Sequence, residues 1–306
     1  MRWGVVGATS RIHRQRLRPA FGLAGQRIVA EASRRGDDLT PYLEVLTDPN
    51  VDAVYIPVPN FLHAELVQQA LESGKHVLCE KPLTMSGEET ERLFATAQQC
   101  GRWLAEAFMW PHHPRARQLR ELVAGGELGR LIGHEATFTF PLDRPTDHRF
   151  DARGGGALFD AGIYCLGPAL ALSGEDVGAV AATAVRNEAG VDVSMSGWVE
   201  LAAGTGSSFT VSFEAPLRRQ QVVIGSEGTI VLDPHFPGPE RAGDITILRP
   251  DSSRDEVPHV GANAYERMIA DFVIEANGDA PPAWTPTDSI RLAHLEDHLH
   301  ALTGAP

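Results

Sequence analysis

An acidic residue and a tyrosine stand four positions apart in the second half of the chain. Asp160 and Tyr164 lie in the segment GGGALFDAGIYCLG, residues 154 to 167. On a helix, residues four apart share one face and can address the same cavity. The glycines before this helix leave its start sterically open, and Pro168 predicts a kink or a helix end just beyond Tyr164. The pattern indicates a narrow, directional site.

A positioned tyrosine can exchange the proton that hydride transfer between a carbinol carbon and a nicotinamide requires. Its reference pKa of about 10 suits neutral pH only where a nearby cation stabilises the phenolate. Lys81 is the candidate cation. We therefore assign Tyr164 as acid/base, Lys81 as electrostatic partner that also orients substrate and ribose oxygens, and Asp160 as orienting acceptor. Without further context, a solvated lysine and an Asp–Tyr pair on a helix surface are the alternatives.

The first predicted strand runs into a segment suited to phosphate binding. A dinucleotide fingerprint starting at Gly7 would have glycine at the positions of Thr9 and Ile12. We nevertheless expect the amides at the start of the following helix to hold the phosphates, which the helix dipole favours; a plain turn is the alternative. The candidate residues are Gly7, Ala8, Thr9, Ser10, Arg11 and Ile12.

The end of the second predicted strand bears on the choice of cofactor. It carries Ser33, Arg34 and Arg35 where an enzyme selecting NAD usually has an acidic residue against the ribose 2′-hydroxyl. Arginine suits a 2′-phosphate, so we expect NADP ahead of NAD. Two alternatives stay open: Glu31 takes the hydroxyl, or the arginines are only solvated.

Composition excludes several classes of protein. The 306 residues carry a formal net charge of −13, which opposes nucleic-acid binding because that depends on clustered Lys and Arg. Apolar runs are broken before the about 18 residues needed to cross a bilayer, and no secretory peptide follows Met1. We expect a cytoplasmic protein with a small-molecule substrate and neither nucleic-acid nor membrane partner.

The cysteines do not form a recognisable framework. Cys79, Cys100 and Cys165 are odd in number and widely spaced, which predicts neither disulfides nor a zinc site. The twelve histidines include no set accompanied by cysteines at ligand spacing. We therefore expect no metal.

The spacing of apolar residues differs between the first and the second half of the chain. Up to about residue 125, short apolar runs alternate with helical patterns, which predicts a parallel sheet. The runs are Trp3 to Val6, Arg27 to Ala32, Asp52 to Ile56, His76 to Cys79 and Trp103 to Phe108. Beyond residue 130 the period falls to two, as in an antiparallel sheet with one wet face. We predict an α/β Rossmann domain over residues 1–125 and an α+β domain with an open, mainly antiparallel sheet over 126–306; the last helix packs back on one of them.

Few residues separate the second predicted strand from the third. Between Ala32 and Asp52 there is room only for a loop and a brief helix, which Thr40 would cap and Pro41 would open. The nucleotide-binding sheet is therefore expected to be shortened, with its second strand at an edge. Part of the wall of the adenosine pocket would then be missing.

Three motifs, in order, carry a resemblance to a known family. They are Pro59-Asn60-x-x-His63, Glu80-Lys81-Pro82, and the segment 154 to 167. The chain resembles the glucose-fructose oxidoreductase, inositol dehydrogenase and rhizopine-catabolism family, written Gfo/Idh/MocA. Many members end the third motif with histidine; Tyr164 resembles the branch of dihydrodiol dehydrogenase, xylose dehydrogenase and glucose-fructose oxidoreductase.

The resemblance implies a Rossmann domain followed by an α+β domain whose open sheet mediates homo-oligomerisation, with the substrate between the domains near the nicotinamide. It adds Pro57, Pro59, Asn60, His63, Glu80 and Lys81 to the expected cofactor site, although His63 could equally cap or pack at a helix start. Trp110, Arg149 and Phe150 are candidate substrate contacts, with core packing as the alternative for the aromatic residues. Pro111 stands where the related branch commonly has arginine.

The expected function is therefore an NAD(P)-dependent oxidoreductase that transfers hydride between nicotinamide and a sugar, keto-sugar or related hydroxy compound. A non-catalytic nucleotide-binding sensor or corepressor on the same fold is the alternative. Retention of Lys81, Asp160 and Tyr164 together favours the enzyme, because a sensor has no need of an acid/base set.

Overall fold

A computed structural model describes residues 1–34, 36–144, 146–174, 176–201, 204–234, 244–259 and 261–304, so Arg35 lies outside the described residues. The chain forms two compact units, Met1–His112 with Asn263–Ala293, and His113–Ala262 with His294–Pro306. This division differs from a single boundary at residue 125, because the chain returns to the first unit after Ala262. The predicted domain boundaries stay a prediction.

The part of the chain that the structure describes contains eight α-helices. In chain order they are α1 (Arg18–Leu23), α2 (Thr40–Thr47), α3 (His63–Glu72), α4 (Gly87–Cys100), α5 (Pro114–Ala124), α6 (Ala157–Ser173), α7 (Ala264–Ala276) and α8 (Pro286–Leu302). A π-helical turn, His13–Leu17, leads into α1. Helix α4 begins where Ser86 and Glu89 predict a capping box, but the Ser86 side chain makes no capping hydrogen bond.

A parallel sheet organises the first unit, as predicted. Its order is β2-β1-β3-β4-β5, with every pairing parallel. The strands are β1 (Arg2–Val6), β2 (Arg27–Ala32), β3 (Ala53–Ile56), β4 (His76–Glu80) and β5 (Leu104–Ala107). Strand β3 is buried at every position because apolar layers cover both faces of the sheet. One layer joins Trp3 to Phe21 and to Phe272 of α7, with ring centroids 4.9 and 5.0 Å from that of Trp3.

Strand β2 is an edge strand, as the short interval predicts. Only α2 joins it to β3, so the chain moves from one side of β1 to the other without adding a strand. The predicted cap of α2 is wrong: Thr40 lies inside the helix, and its amide donates to Oδ1 of Asp38 at 2.9 Å. A carboxylate two residues earlier thus takes the role expected of the threonine hydroxyl.

The second unit contains an open sheet, again as predicted. Its order is β13-β12-β11-β10-β6-β9-β8-β7, antiparallel except for the parallel pair β6 and β9. The strands are β6 (Leu131–Thr139), β7 (Val177–Arg186), β8 (Asp192–Leu201), β9 (Gly206–Ser212), β10 (Arg218–Gly225), β11 (Thr229–Leu232), β12 (Ile245–Leu248) and β13 (Arg254–Val257). Strands β6, β7 and β13 were not anticipated from the apolar runs.

Helix α6 lies on one face of this sheet and contacts β6, β8 and β9. It contains Pro168 and continues to Ser173, where Gly174 adopts a left-handed conformation. Of the kink or helix end predicted just beyond Tyr164, the helix end is therefore wrong, and the kink stays a prediction. Proline in a helix interior removes one backbone hydrogen bond, and burial of this helix against the sheet outweighs that loss.

Candidate active site

The loop after β1 turns sharply at Gly7. Its φ is +108°, and a Cβ atom there would lie 2.8 Å from the carbonyl oxygen of Pro57. Glycine therefore lets the loops that follow β1 and β3 approach each other. These adjacent strands lie where the strand order reverses, which is where ligands bind beyond the carboxyl ends of parallel strands. Gly7 and Pro57 thus lie where a dinucleotide site is expected.

The amides of Gly7, Ala8 and Thr9 donate hydrogen bonds to acceptors within the protein. Those of Gly7 and Ala8 both donate to the carbonyl of Ala32 at 2.9 Å, and that of Thr9 donates to Oγ of Ser33 at 3.0 Å. Oγ of Ser10 accepts from the His13 amide at 3.3 Å, which places Ser10 as the cap of the following helix. Phosphate binding by this loop stays a prediction, and it depends on the amides that follow Ser10.

The three candidates at the end of β2 have different environments. Oε1 of Glu31 lies 2.9 Å from Nε2 of His13, and Oε2 lies 3.2 Å from the guanidinium of Arg18. This carboxylate is committed to the first helix, which weakens the alternative in which it binds a ribose hydroxyl. Ser33 holds the Gly7 loop, and the half-buried Arg34 side chain pairs at 3.5 Å with the exposed Asp37.

His63 connects the loops after β3 and β4. It is fully buried, with Nδ1 2.8 Å from the carbonyl oxygen of Pro82 and Nε2 3.0 Å from that of Val58. Burial lowers the pKa of His63, while the surrounding backbone groups oppose that shift. Pro59 and Asn60 form the short connection between Val58 and α3, beginning a 3₁₀ turn at Asn60. The side chain has no exposed surface, so its part in the predicted cofactor site is to position these loops.

We expect replacement of His63 with alanine to loosen the two loops. The lowered pKa of His63 favours the neutral imidazole, which donates from one nitrogen only. At least one buried carbonyl would lose its donor, which costs about 1–3 kcal/mol of unfolding free energy, and the Kd of NADPH should rise. Urea denaturation and fluorescence titration measure the two effects. The exposed His298 offers a matched control; a His63→Ala protein that binds NADPH as tightly as His298→Ala would contradict the positioning role.

Two hydrogen bonds hold the segment Glu80 to Leu83, one at each end. Oε1 of Glu80 accepts from the buried Tyr55 hydroxyl at 2.6 Å. The Leu83 amide donates to Oε1 of Glu106 at 2.9 Å. Lys81 stands between these anchors, and its charge acts on the Glu106 carboxyl. The position of Lys81 is therefore fixed by its neighbours on both sides.

Glu106 is a buried carboxyl at the end of β5. Besides the Leu83 amide, it accepts from Nε1 of Trp284 at 3.2 Å and from Oγ of Ser289 at 2.8 Å. Burial raises the pKa of Glu106, although these hydrogen bonds and the charge of Lys81 oppose the shift. The carboxyl thus links the Lys81 segment to the part of the chain that returns after Ala262.

Asp160 and Tyr164 are less buried than the residues around them in α6. From Ala157 to Leu170, α6 is buried everywhere except at these two positions. The Tyr164 ring stacks on Phe138 of β6, with centroids 4.7 Å apart and planes inclined by 20°. The predicted pair therefore lies on a partly exposed face of an otherwise buried stretch of α6.

The glycines before α6 allow two close approaches. A Cβ at Gly155 would lie 2.2 Å from the carbonyl oxygen of Arg149, and a Cβ at Gly156 would lie 2.3 Å from Oδ1 of Asp192. The first approach folds the 3₁₀ turn His148–Phe150 against the helix start. The glycine run is therefore required by packing, beyond the open helix start that the sequence predicts.

Arg149 pairs with the acidic residue of the candidate site. Its Nε lies 2.9 Å from Oδ2 of Asp160, and its Nη1 donates to Oδ1 of Asp147 at 3.1 Å. The two aspartates raise the pKa of Arg149 against the opposing effect of burial. Arg149 therefore orients Asp160, and a direct contact with substrate stays a prediction.

The two aromatic candidates pack against other rings. Trp110 is 1% exposed and stacks on Phe108 with centroids 6.0 Å apart. Phe150 is partly exposed and meets the edge of Phe213 at 5.8 Å. Core packing accounts for Trp110, and contact of either residue with substrate stays a prediction.

Family models match both halves of the chain. Residues 1–108 match the model described as "Oxidoreductase family, NAD-binding Rossmann fold" of GFO/IDH/MocA, and residues 116–231 match the "GFO/IDH/MocA C-terminal domain". The chain belongs to the Gfo/Idh/MocA family. It is an NAD(P)-dependent oxidoreductase.

Relatives of this Gfo/Idh/MocA protein include sugar enzymes. It is 32% identical to a dTDP-3,4-didehydro-2,6-dideoxy-alpha-D-glucose 3-reductase from Actinomadura kijaniata, over 100% of this chain and 96% of the relative. It is 35% identical to D-xylose 1-dehydrogenase (NADP(+)) 2 from Haloferax volcanii, over 86% and 82%. A solved 3-ketoreductase from A. kijaniata, with one tyrosine replaced by phenylalanine and bound to TDP-benzene and NADP, superposes with a TM-score of 0.89 at 30% identity, over 98% and 97%.

Three residues that position this Gfo/Idh/MocA site were not predicted from the sequence. Tyr55 and Glu106 anchor the Lys81 segment, and Asp192 contacts the start of α6. The available signal was a polar or charged residue within an apolar strand, since a buried charge almost always has a partner. The partners themselves lie 25, 23 and 34 residues away in the chain, and no local pattern reveals them.

None of the described helices combines the length and apolar character needed to span a bilayer. In the same parts of the chain, no three His, Cys, Asp or Glu residues cluster closely enough to hold a metal ion.

Proposed function

We propose that this protein transfers hydride between the nicotinamide of NADP and the carbinol or ketone carbon of a sugar or keto-sugar. The observation that carries the proposal is the partial exposure of Asp160 and Tyr164, four residues apart, in a stretch of α6 that is otherwise buried. The printed activities of the relatives, a keto-sugar 3-reductase and a xylose dehydrogenase, support this substrate class. Assays with free and with nucleotide-linked sugars distinguish the two forms of this substrate class.

The described residues fit a dinucleotide. Gly7 lets the loop after β1 approach Pro57 at the point where the strand order reverses, and Ser33 and Arg34 directly follow β2. When bound, NADP supplies the hydride acceptor or, in its reduced form, the donor. Ser10 caps the helix whose first amides would face the phosphates, and His63 holds the next two loops in place.

Tyr164 carries the proton in this proposal. In oxidation its phenolate oxygen takes the proton of the substrate hydroxyl as the C–H bond breaks; in reduction its hydroxyl returns a proton to the new alkoxide. Lys81 stabilises the phenolate and orients the substrate and ribose oxygens. Asp160, oriented by Arg149, accepts a hydrogen bond from the substrate.

Cofactor selectivity should depend on Arg34. Replacement with alanine should raise the Kd of NADPH about 10- to 100-fold, because a charge-assisted hydrogen bond to the 2′-phosphate is lost, and leave the Kd of NADH unchanged. Fluorescence titration with both cofactors measures this. Arg16→Ala, on the exposed side of the π-helical turn, is the control; equal weakening of both cofactors by Arg34→Ala would contradict the 2′-phosphate role.

One experiment tests the function itself. The purified protein is titrated with NADPH and NADH, and free sugars, keto-sugars and nucleotide-linked sugars are then assayed by the absorbance of the reduced nicotinamide. Turnover with at least one sugar supports the enzyme. Binding without turnover of any sugar would favour the sensor or corepressor, and failure to bind either cofactor would overturn both.

We further propose that the open sheet forms a homo-oligomer. Large apolar side chains on or beside β6, β7, β8 and β10 are exposed: Ile132, Val185, Trp198 and Leu217. An open sheet with such residues usually pairs or is covered. Analytical ultracentrifugation determines the oligomeric state, while the cytoplasmic location stays a prediction.

A further inference from the structure

The start of α6 lacks a cap of its own. The residue that precedes it is Gly156, which has φ of +123° and no side chain to accept a hydrogen bond. The first amides of a helix have no partner within the helix. Here they lie in a buried region, because Ala157, Leu158 and Phe159 are all inaccessible. A buried helix start requires an acceptor from elsewhere in the chain.

Asp192, the first residue of β8, provides that acceptor. It is fully buried, and its Oδ2 accepts from the Leu158 amide at 2.8 Å. The Ala157 amide also acts on this carboxyl. The side chain reaches the helix because Gly156 lacks a Cβ, which would lie 2.3 Å from Oδ1. A carboxylate from a strand 34 residues away thus caps the helix.

We propose that Asp192 is a positioning residue, whose ionised carboxylate fixes the start of α6 and thereby the positions of Asp160 and Tyr164. This inference rests on the proposed function of those two residues. Asp160 lies in the first turn of α6, and its amide donates to the Gly156 carbonyl at 3.1 Å. A negative charge at a helix start is also stabilised by the helix dipole. Loss of the carboxylate would therefore shift the turn that carries Asp160.

The environment of Asp192 makes this contact sensitive to mild acid. Burial raises the pKa of Asp192 to about 6, although the amides of α6 and the charge of Arg186 oppose that shift. Arg186 of β7 is the charged side chain that acts on it, and α6 presents the amides of Ala157 and Leu158. Below about pH 6 the carboxyl is neutral and its hold on the helix weakens. The kcat of the wild-type protein should therefore fall as the pH drops through this value.

Asp192→Asn tests the proposal at nearly constant volume. We expect kcat to fall between about tenfold and about 10²-fold, since a small misplacement of reacting groups has effects of that size. The Kd of NADPH should stay unchanged, and the fall of wild-type kcat near pH 6 should disappear because asparagine does not titrate. Hydrogen exchange at the Ala157 and Leu158 amides should become faster.

Asp251→Asn is the matched control, because Oδ1 of Asp251 accepts from the Ser253 amide at 2.9 Å in an exposed turn. Unchanged kcat in Asp192→Asn overturns the proposal, whether or not amide exchange changes. Failure of the proposed function is distinguishable, because it appears as absent sugar turnover in the wild type.

Discussion

Replacing Tyr164 with phenylalanine should lower kcat by about 10²- to 10⁴-fold, the usual contribution of a positioned proton-transfer group. Phenylalanine keeps the ring that stacks on Phe138 at 4.7 Å and removes only the hydroxyl. The fold and the Kd of NADPH should therefore be unchanged. The loss should fall on the chemical step in both directions of the reaction.

Single-turnover kinetics with prebound NADPH measure this step directly, and a thermal melt checks the fold. Tyr42→Phe is the matched control, because Tyr42 packs in the core of the first unit, outside the proposed site. It should leave kcat unchanged. A Tyr164→Phe protein with wild-type single-turnover rates would assign the proton transfer to another group.

The centre of the parallel sheet could be predicted well because its strands are buried on both faces. Such strands have continuous apolar sequences, and the predicted range Asp52 to Ile56 differs by one residue from β3, which is buried at every position. The edge position of β2 followed from chain length alone, since only α2 fits before β3. Sequence is informative here because burial and spacing leave few arrangements.

The strands that escaped prediction lack that pattern. Strand β7 alternates partly buried with exposed positions and consists mainly of Ala and Val, while β13 has the sequence Arg-Asp-Glu-Val at the edge of the sheet. Strand β6 carries His134 and Glu135 among apolar residues, and His134 is buried against Ser207 and Gln221. Such strands are stabilised by pairing with their neighbours, which a single sequence does not display.

The residues of the candidate site also fall into those that the sequence predicts and those that it does not. Motif and spacing were sufficient to select Lys81, Asp160 and Tyr164. The groups that hold them are distant in sequence, such as Glu106 for the Lys81 segment and Asp192 for α6. Arg149 was selected for the substrate, whereas the structure pairs it with Asp160. Residue type and spacing support the proposed chemistry, and only the folded chain reveals the contacts that position these residues.

Lys81→Met should lower kcat by about 10²- to 10³-fold, as removal of one group that stabilises developing charge typically does. Methionine keeps the length of the side chain and removes its charge. Without the cation, the phenolate of Tyr164 is less stable, so the pH at which oxidation becomes fast should rise. A pH profile of kcat in the oxidative direction measures that shift.

The double variant Lys81→Met with Tyr164→Phe provides the sharper test. Residues that act as a unit are strongly non-additive, so the double variant should be about as slow as Tyr164→Phe alone. The other lysine, Lys75, donates to the carbonyls of Asp48 and Val51 at 2.6 and 2.8 Å. Lys75→Met should accordingly lower stability and leave kcat of the folded protein unchanged. Fully additive losses at Lys81 and Tyr164 would show that the lysine acts on the substrate or cofactor independently of the tyrosine.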